Sequence, residues 1–227
     1  MTAPRRKLLG VAALVGVTGV AIGFYVVGFL LAGPANFTAR VAGTAPPTAD
    51  LTLQTVAAVG PSFADTNGTP DWVSYLVRGQ DGKWRHTTLW TVPAHALVRV
   101  TIYNFDGASG LRNPFLAGAQ GLVGNTFGLD GRPTRVINPD DASHTFAIPE
   151  LGVLVPIMGV ADDAKNQCDY APCTMSQAHH TITFTFRTGK RGRFRWQCFV
   201  PCAAGFINGF GGPMESLGYM DGFINVV

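Results

Sequence analysis

An uncharged segment near the N-terminus constrains the fold of this chain more than any other feature. Leu8–Ala32 runs for 25 residues without a charged side chain. As a helix it would be about 37 Å long, against a bilayer hydrocarbon core of about 30 Å. Arg5, Arg6 and Lys7 precede it, and positive flanks stay on the cytoplasmic side. The sequence therefore predicts a single-pass anchor in the cell membrane, with a cytoplasmic N-terminus and the remaining domain on the outer face.

Two export signals are alternatives to a permanent anchor. A cleaved signal peptide has an apolar region of only about 7–15 residues, so the observed segment is long for one. The run Arg5-Arg6-Lys7-Leu8-Leu9 resembles a twin-arginine export signal. Two arginines before an apolar run also satisfy the positive-inside rule, so the export route stays open. We expect an anchor or uncleaved signal over residues 1–34, a linker over 35–50 and one domain over 51–227.

The charge distribution excludes one class of partner. Charged residues make up 14% of the chain, whereas about a quarter is usual in globular proteins. The first 40 residues hold four basic residues and no acidic one, so the net charge of the rest is −1 against +3 for the whole chain. A nearly neutral domain lacks the basic surface that nucleic-acid binding requires. We therefore expect no nucleic acid among the partners.

The hydrophobic pattern after residue 50 indicates an all-β domain. Thr181–Phe186 alternates strictly between polar and apolar residues, and no segment beyond the anchor keeps a helical period for three turns. Gln80–Lys83 is typical of a hairpin turn. The long irregular stretches Asp106–Asp141 and Met158–Ala178 are expected to be functional or to form an interface. Predicted strands are Leu51–Val59, Trp72–Arg78, Thr87–Val92, Leu97–Tyr103, His144–Ile148, Thr181–Arg187, Arg193–Cys198 and Gly222–Val227.

The four cysteines form two closely spaced pairs in the exported part, where disulfides persist. Cys168 and Cys173 lie in an irregular stretch, and we expect a disulfide that ties this loop. Cys198 and Cys202 begin at the end of a predicted strand. They could form a second disulfide. Two thiolates with a nearby imidazole could instead hold copper, because sulfur suits Cu(I) and nitrogen also suits Cu(II).

Three segments of the exported domain resemble cupredoxins, and in particular the copper domain of cytochrome c oxidase subunit II. Ser143–Gly152 resembles the segment that carries the first histidine ligand, and Arg195–Cys202 resembles the strand and Cys-x3-Cys loop that carry two bridging thiolates. Gly211–Met220 resembles the closing stretch of small exported cupredoxins. The resemblance implies a cupredoxin-like Greek-key β-sandwich. It also implies a copper site that includes His144, Cys198 and Cys202.

The sequence departs from the oxidase pattern where that pattern has a second histidine. Four residues after the second cysteine stands Phe206, and the methionine position that follows holds Gly209. The expected binuclear site is therefore incomplete. Met214 or Met220 could supply a long axial sulfur ligand, although a methionine in the core or a loop is the alternative for either.

A histidine pair offers a replacement nitrogen. If Thr181–Arg187 and Arg193–Cys198 form a hairpin, Phe186 pairs with Arg193 and the register places His180 beside the end of the cysteine strand. His180, or its neighbour His179, could then join the copper site. The alternative is that this pair caps a strand at the surface.

Two functions follow from these features. The first is a membrane-anchored, externally facing electron-transfer protein, alone or as a subunit-II-like component of a respiratory oxidase, with respiratory-complex subunits or a redox protein as partners. No catalytic triad or carboxylate pair is present in the sequence, so we expect an electron-transfer subunit rather than an enzyme with its own substrate chemistry. The second is a metal-free, degenerate cupredoxin with Cys198–Cys202 oxidised, which serves as a structural or interaction subunit of a membrane complex. Phe206 favours the second.

Overall fold

The computed structural model describes residues 15–26, 36–42, 46–63, 71–109, 113–202 and 212–227. The chain divides into two compact units, Met1–Ala35 and Asn36–Val227. In the first unit residues 15–25 are α-helical, and residues 8–14 and 27–32 of the predicted anchor lie outside the described residues. Among the helices within those ranges, none is both long enough and apolar enough to cross a membrane.

The second unit is built from β-strands. Its described residues form fourteen strands, several of them only two or three residues long. The strands are β1 (Asn36–Thr38), β2 (Arg40–Ala42), β3 (Thr48–Val56), β4 (Ser74–Arg78), β5 (Trp84–Arg85), β6 (Leu89–Val92), β7 (Leu97–Asn104), β8 (Phe127–Leu129), β9 (Arg132–Thr134), β10 (Ala142–Ile148), β11 (Val153–Met158), β12 (His180–Arg187), β13 (Gly192–Gln197) and β14 (Asp221–Val226).

These strands form two sheets. The first sheet has the order β1-β6-β14-β13-β10-β11, and the second has the order β5-β4-β3-β7-β12-β8-β9 with β2 paired to β3. β1 runs parallel to β6, and β2 runs antiparallel to β3. Both of these strands lie in the segment 35–50, where the sequence predicts a linker. These two short strands belong to the sheets because their backbones pair with longer strands.

The two sheets pack face to face around one apolar core. In β12 the side chains of Ile182, Phe184 and Phe186 are buried while Thr183 between them is exposed, which is the pattern of a strand with one face on the core. β10 is buried at every position. The core includes buried residues from both sheets. The prediction of an all-β sandwich is therefore confirmed.

The predicted hairpin between the His180 strand and the cysteine strand is wrong. Phe186 in β12 pairs with Val98 in β7, whereas Arg193 in β13 pairs with Asn225 in β14, so the two strands lie in different sheets. The connection crosses between the sheets because Thr188 is buried and fixed to the β6–β7 link. Its hydroxyl accepts a hydrogen bond from the backbone N–H of Ala96 at 2.8 Å. β12 and β13 thus contribute side chains to one core from two different sheets rather than pairing edge to edge.

The predicted turn at Gln80–Lys83 does form a hairpin, but with a different partner strand. Arg78 in β4 pairs with Trp84 in β5, and the N–H of Gly79 donates to the carbonyl of Lys83 at 2.7 Å. The strand predicted on the far side of this turn is β6, which belongs to the first sheet. The two-residue β5 is the hairpin partner of β4 instead, because the chain passes from the second sheet to the first between β5 and β6.

A group of buried aromatic rings fixes the end of β13. The rings of Trp90 and Trp196 stack with centroids 4.5 Å apart, and Tyr75 meets Trp196 edge-on at 5.0 Å. The indole N–H of Trp196 donates to the carbonyl of Thr88 at 3.0 Å. Aromatic pairs of this kind contribute beyond the area that they bury. They therefore hold β13 rigidly two residues before the first cysteine of the Cys-x3-Cys loop.

Gly222 provides a test of this packing. A Cβ at Gly222 would clash with the Thr88 carbonyl oxygen and lie 2.6 Å from the indole nitrogen of Trp196. We therefore expect Gly222→Ala to lower the free energy of unfolding by about 1–3 kcal/mol, as overpacked sites do. Chemical denaturation of the second unit measures this. Gly189→Ala is the control, because a Cβ there meets nothing within 4 Å, and an equal loss in both variants would contradict the packing argument.

Candidate metal centre

Three side chains with metal-binding atoms converge at one end of the sandwich. His144 lies in β10, Cys198 directly follows β13, and Cys202 comes four residues later. Their ligand atoms all lie within 4.8 Å of one another, and all three residues are buried. Within the described ranges this is the only group of three or more such side chains.

Neighbouring strands hold the two parts of the group together. Ala147 in β10 pairs with Gln197 in β13, next to Cys198. The N–H of Cys198 donates to the carbonyl of Met220 at 3.0 Å, which ties the loop to the segment before β14. The hydroxyl of Thr145 accepts a hydrogen bond from the N–H of Phe199 at 2.8 Å. The Cys-x3-Cys loop is therefore fixed to the strand that carries His144.

The distances inside the group are short. Nδ1 of His144 lies 3.0 Å from the sulfur of Cys202, and the sulfurs of Cys198 and Cys202 are 3.3 Å apart. Both thiols are free. The N–H of Thr145 donates to the sulfur of Cys198 at 3.3 Å, which favours negative charge on that sulfur. Two sulfurs and one nitrogen thus face a common point.

The other cysteine pair behaves as predicted. Cys168 and Cys173 are joined by a disulfide. The N–H of Cys173 also donates to the side-chain oxygen of Gln54 in β3 at 2.9 Å. The prediction that this pair ties a loop to the domain is confirmed, and it leaves Cys198 and Cys202 as the only free thiols of the chain.

Asp106 orients the imidazole, a role that no sequence pattern predicted. Its carboxylate lies 2.9 Å from Nε2 of His144, on the side of the ring away from the sulfurs. A carboxylate in this position fixes the tautomer and orientation of a metal-binding histidine. Asp106 follows the end of β7, far from His144 in sequence, and no local motif marks it. Asp140 and Asp141, which precede His144 in sequence, form a short 3-10 turn instead.

The buried charges shift one another's ionisation. Burial lowers the pKa of His144, but hydrogen bonds and charge from Asp106 and Cys198 outweigh it and raise this pKa to about 9. Burial raises the pKa of Cys198, but its contacts with Cys202 and His144 hold that pKa well below its ordinary value. The contact with Cys198, followed by burial, raises the pKa of Cys202. Without a metal, the group therefore favours one thiolate, one thiol and a protonated imidazole.

Of the two less secure predicted ligands, His180 lies outside the group, and a ligand role for Met214 stays a prediction. Nδ1 of His180 is 2.7 Å from the carboxylate of Asp130, and His180 is not part of the three-residue group. The hairpin that would have brought His180 to the cysteines does not exist. Met214 lies in the short helix Gly212–Glu215 and packs against the core that includes both cysteines. Its carbonyl accepts a hydrogen bond from the side chain of Gln197 at 2.9 Å.

The donor set fits a copper ion. Thiolates select soft ions such as Cu(I), and imidazole binds both copper oxidation states. Nδ1 faces the sulfurs while Nε2 faces a carboxylate, which is the arrangement of a ligating histidine with its orienting partner. Two cysteines and one histidine can also hold a catalytic zinc ion, so zinc binding has to be measured beside copper binding. His144, Cys198 and Cys202 are the residues that would hold copper.

Asp106 yields a prediction for metal affinity. In Asp106→Asn an amide oxygen can still accept the imidazole N–H, but the negative charge is lost. We expect copper affinity to fall about 10- to 100-fold, as for other orienting partners of metal ligands. Competition titration with a chelator of known affinity measures this. Asp130→Asn is the control, because Asp130 pairs with the imidazole of His180 outside the metal group. Unchanged affinity in Asp106→Asn would contradict the orienting role.

Comparison with known proteins gives structural likenesses only. No protein-family model and no curated protein matches the chain. Several solved structures of the copper protein rusticyanin match it. One has 16% identity and a TM-score of 0.34, and covers 85% of this chain and 88% of its own. Rusticyanin from Thiobacillus ferrooxidans matches with 20% identity and a TM-score of 0.32 over the same shares of the two chains.

A multicopper oxidase structure also matches. It has 14% identity and a TM-score of 0.32, with 82% of this chain and 45% of the oxidase covered. Identities and TM-scores this low carry no argument about function. The argument about function rests instead on the donor atoms and their surroundings.

Proposed function

We propose that this chain is a copper-binding electron-transfer protein of the cupredoxin type, which faces the outside of the cell membrane. It acts alone or as a subunit-II-like component of a respiratory oxidase. Copper is held by His144, Cys198 and Cys202, and Asp106 orients the imidazole. One observation carries the proposal. Two free thiols stand 3.3 Å apart with an imidazole nitrogen 3.0 Å from one of them, all in a buried site.

The protein's own groups are suited to electron transfer. Copper supplies a one-electron exchange between Cu(I) and Cu(II). The strands hold the three donors in place before any ion binds, so little rearrangement is required. Burial of His144 and Cys198 keeps bulk water away. Phe199, next to Cys198, is 40% exposed and offers an apolar contact for a redox partner close to the site.

A metal-free role is the competing proposal. Phe206 stands where the oxidase pattern has a histidine, and it lies outside the described residues. The described residues offer one imidazole to the site rather than two. In this alternative the domain is a structural or interaction subunit of a membrane complex. The Cys198–Cys202 disulfide expected for it is not formed in the structure, where both thiols are free, so the buried thiols would serve packing.

Copper loading separates the two proposals. The full chain, purified in detergent with its free thiols reduced, is given Cu(I) in one sample, Cu(II) in a second and Zn(II) in a third. Bound metal is then measured by elemental analysis. In the electron-transfer proposal copper stays bound through gel filtration, and the oxidised form has strong visible absorption from thiolate-bound Cu(II). Folded protein that retains no copper, or that prefers colourless zinc, would overturn it.

Membrane anchoring is a separate part of the proposal. Because Leu8–Ala32 is uncharged and follows three positive residues, the full chain should stay with membranes through high-salt and alkaline washes. A variant with Leu14, Val20 and Leu30 changed to Asp should appear in the soluble fraction, since each such residue costs about 3 kcal/mol at the centre of a spanning helix. Immunoblots of both fractions measure this. Wild-type protein that is released by salt alone would contradict the anchor.

A further inference from the structure

A cavity of about 410 Å³ opens beside the candidate metal centre. His144 and Cys202 line it, and Cys198 does not. Asp106 and Asp71 also line it. Asp71 is exposed, whereas the side chain of Asp106 is only 24% exposed. The cavity therefore runs from an exposed carboxylate to one of the two free thiols.

The charged groups in the described lining of this cavity are the carboxylates of Asp71 and Asp106 and the imidazole of His144, which pairs with Asp106. None of the described residues that line it is a lysine or an arginine. A second cavity of about 500 Å³ shares Ala57, Asp71, Asp106 and Gly107 with the first, and it adds Asp169. This second lining also lacks lysine and arginine in the described part of the chain. Clefts lined by one sign of charge concentrate the oppositely charged ions.

Ser143 gives independent evidence that a polar species enters this cavity. The pairing of β10 with β11 is irregular between Ala142 and His144, so Ser143 sits at a bulge. Bulges re-aim side chains and are common next to functional sites. Both Ser143 and His144 line the cavity as a result. Ser143 is 1% exposed, and its hydroxyl oxygen has no hydrogen-bond partner among the described groups.

A buried hydroxyl that lacks a hydrogen-bond partner destabilises the folded protein by about 1–3 kcal/mol, unless a polar species binds to it. The imidazole of His144 offsets the charge of Asp106, so Asp71 sets the sign of the charge at the mouth and would repel an anion. A hydrated or partly hydrated cation would be attracted by Asp71 and could bind the hydroxyl oxygen. The charge of Asp71 and the hydroxyl of Ser143 thus both favour a small cation in this cavity.

We propose that this cavity is a cation-selective entrance through which small cations reach Cys202. The identification of the natural cation as Cu(I) rests on the proposed function. The selectivity itself rests on the cavity and its charges. Asp71 attracts the cation at the mouth, Ser143 contacts it on the way, and Cys202 and His144 receive it.

Charged thiol reagents test the entrance without any metal. Two methanethiosulfonates of similar size, one with a trimethylammonium group and one with a sulfonate group, react with the same thiol. In each case the cysteine sulfur displaces methanesulfinate and forms a mixed disulfide. Because both reagents meet the same thiol, their rate ratio reports access rather than intrinsic reactivity. After correction for their rates with a free thiol, we expect the cationic reagent to modify Cys202 about 10-fold faster.

Asp71→Asn is the decisive variant. An amide oxygen can still accept the 2.6 Å hydrogen bond from the N–H of Gly60, so the local structure is kept while the charge is removed. The corrected rate ratio should fall about threefold, and added salt should reduce the wild-type ratio in the same direction. Asp163→Asn is the control, because Asp163 is exposed and does not line either cavity. Peptide mapping identifies which thiol is modified.

The outcomes separate this inference from the proposed function. Equal rates for the two reagents, or a ratio unchanged in Asp71→Asn, overturn the entrance even if copper binds. A cation preference at Cys202 that depends on Asp71 supports it even if the protein retains no copper, in which case only the proposed function fails. If copper does bind, stopped-flow uptake of Cu(I) should be about threefold slower in Asp71→Asn, with the equilibrium affinity unchanged.

Discussion

His144→Ala should abolish stable copper binding and the visible absorption of the oxidised site. The substitution removes the only imidazole that the described residues bring to the sulfurs, and two thiolates alone do not suit Cu(II). The metal-free fold should survive, because Phe146 and Ile148 in the same strand stay buried in the core. We expect the free energy of unfolding of the metal-free protein to fall by about 1–3 kcal/mol, since Asp106 loses its partner.

Elemental analysis and the visible spectrum measure the first effect, and chemical denaturation of the metal-free protein measures the second. His180→Ala is the matched control, because His180 pairs with Asp130 outside the group. It should bind copper as the wild type does. Full copper binding by His144→Ala would remove the proposed site. Loss of copper in His180→Ala would show that the excluded histidine is a ligand after all.

The strands could be predicted from sequence because each one has a local pattern. β7 and β12 alternate between buried and exposed side chains, and their predicted bounds agree with the structure to within one residue. β11 was missed. It is an unbroken apolar run that includes Pro156 and is buried over most of its length, so it has no alternation to detect. The short β1, β2, β5, β8 and β9 owe their existence to pairing with longer neighbours.

The site could be predicted only where its residues belong to recognisable segments. His144, Cys198 and Cys202 were found because the segments around them resemble those of known copper domains. Asp106 could not be found in this way, because its proximity to His144 depends on where the chain runs after β7, and there the N–H of Val160, after β11, donates to the carbonyl of Asp106 at 2.9 Å. His180 was misplaced because the turn after β12 was assigned to a hairpin, and nothing in a four-residue turn reveals that the chain changes sheets there.

Cys198→Ser should also abolish copper binding, although it changes a single atom. Cys198 is fully buried, and its sulfur lies near the N–H of Thr145, the sulfur of Cys202 and the carbonyl of Val200. A serine hydroxyl can donate to that carbonyl, so the fold should lose only about 1–2 kcal/mol. A hydroxyl is not a soft donor, however, and its proton is not released near neutral pH. The strong thiolate absorption should therefore vanish.

The control for this variant changes the other cysteine pair. Cys168→Ser with Cys173→Ser removes two sulfurs and a disulfide. It should lower the free energy of unfolding by about 2–4 kcal/mol while copper binding is retained. The two variants thus have opposite profiles, because one loses the metal with a small change in stability and the other loses stability with the metal kept. If Cys198→Ser binds copper with wild-type affinity and colour, the buried thiol pair serves packing alone, and the metal-free alternative is the better account of this domain.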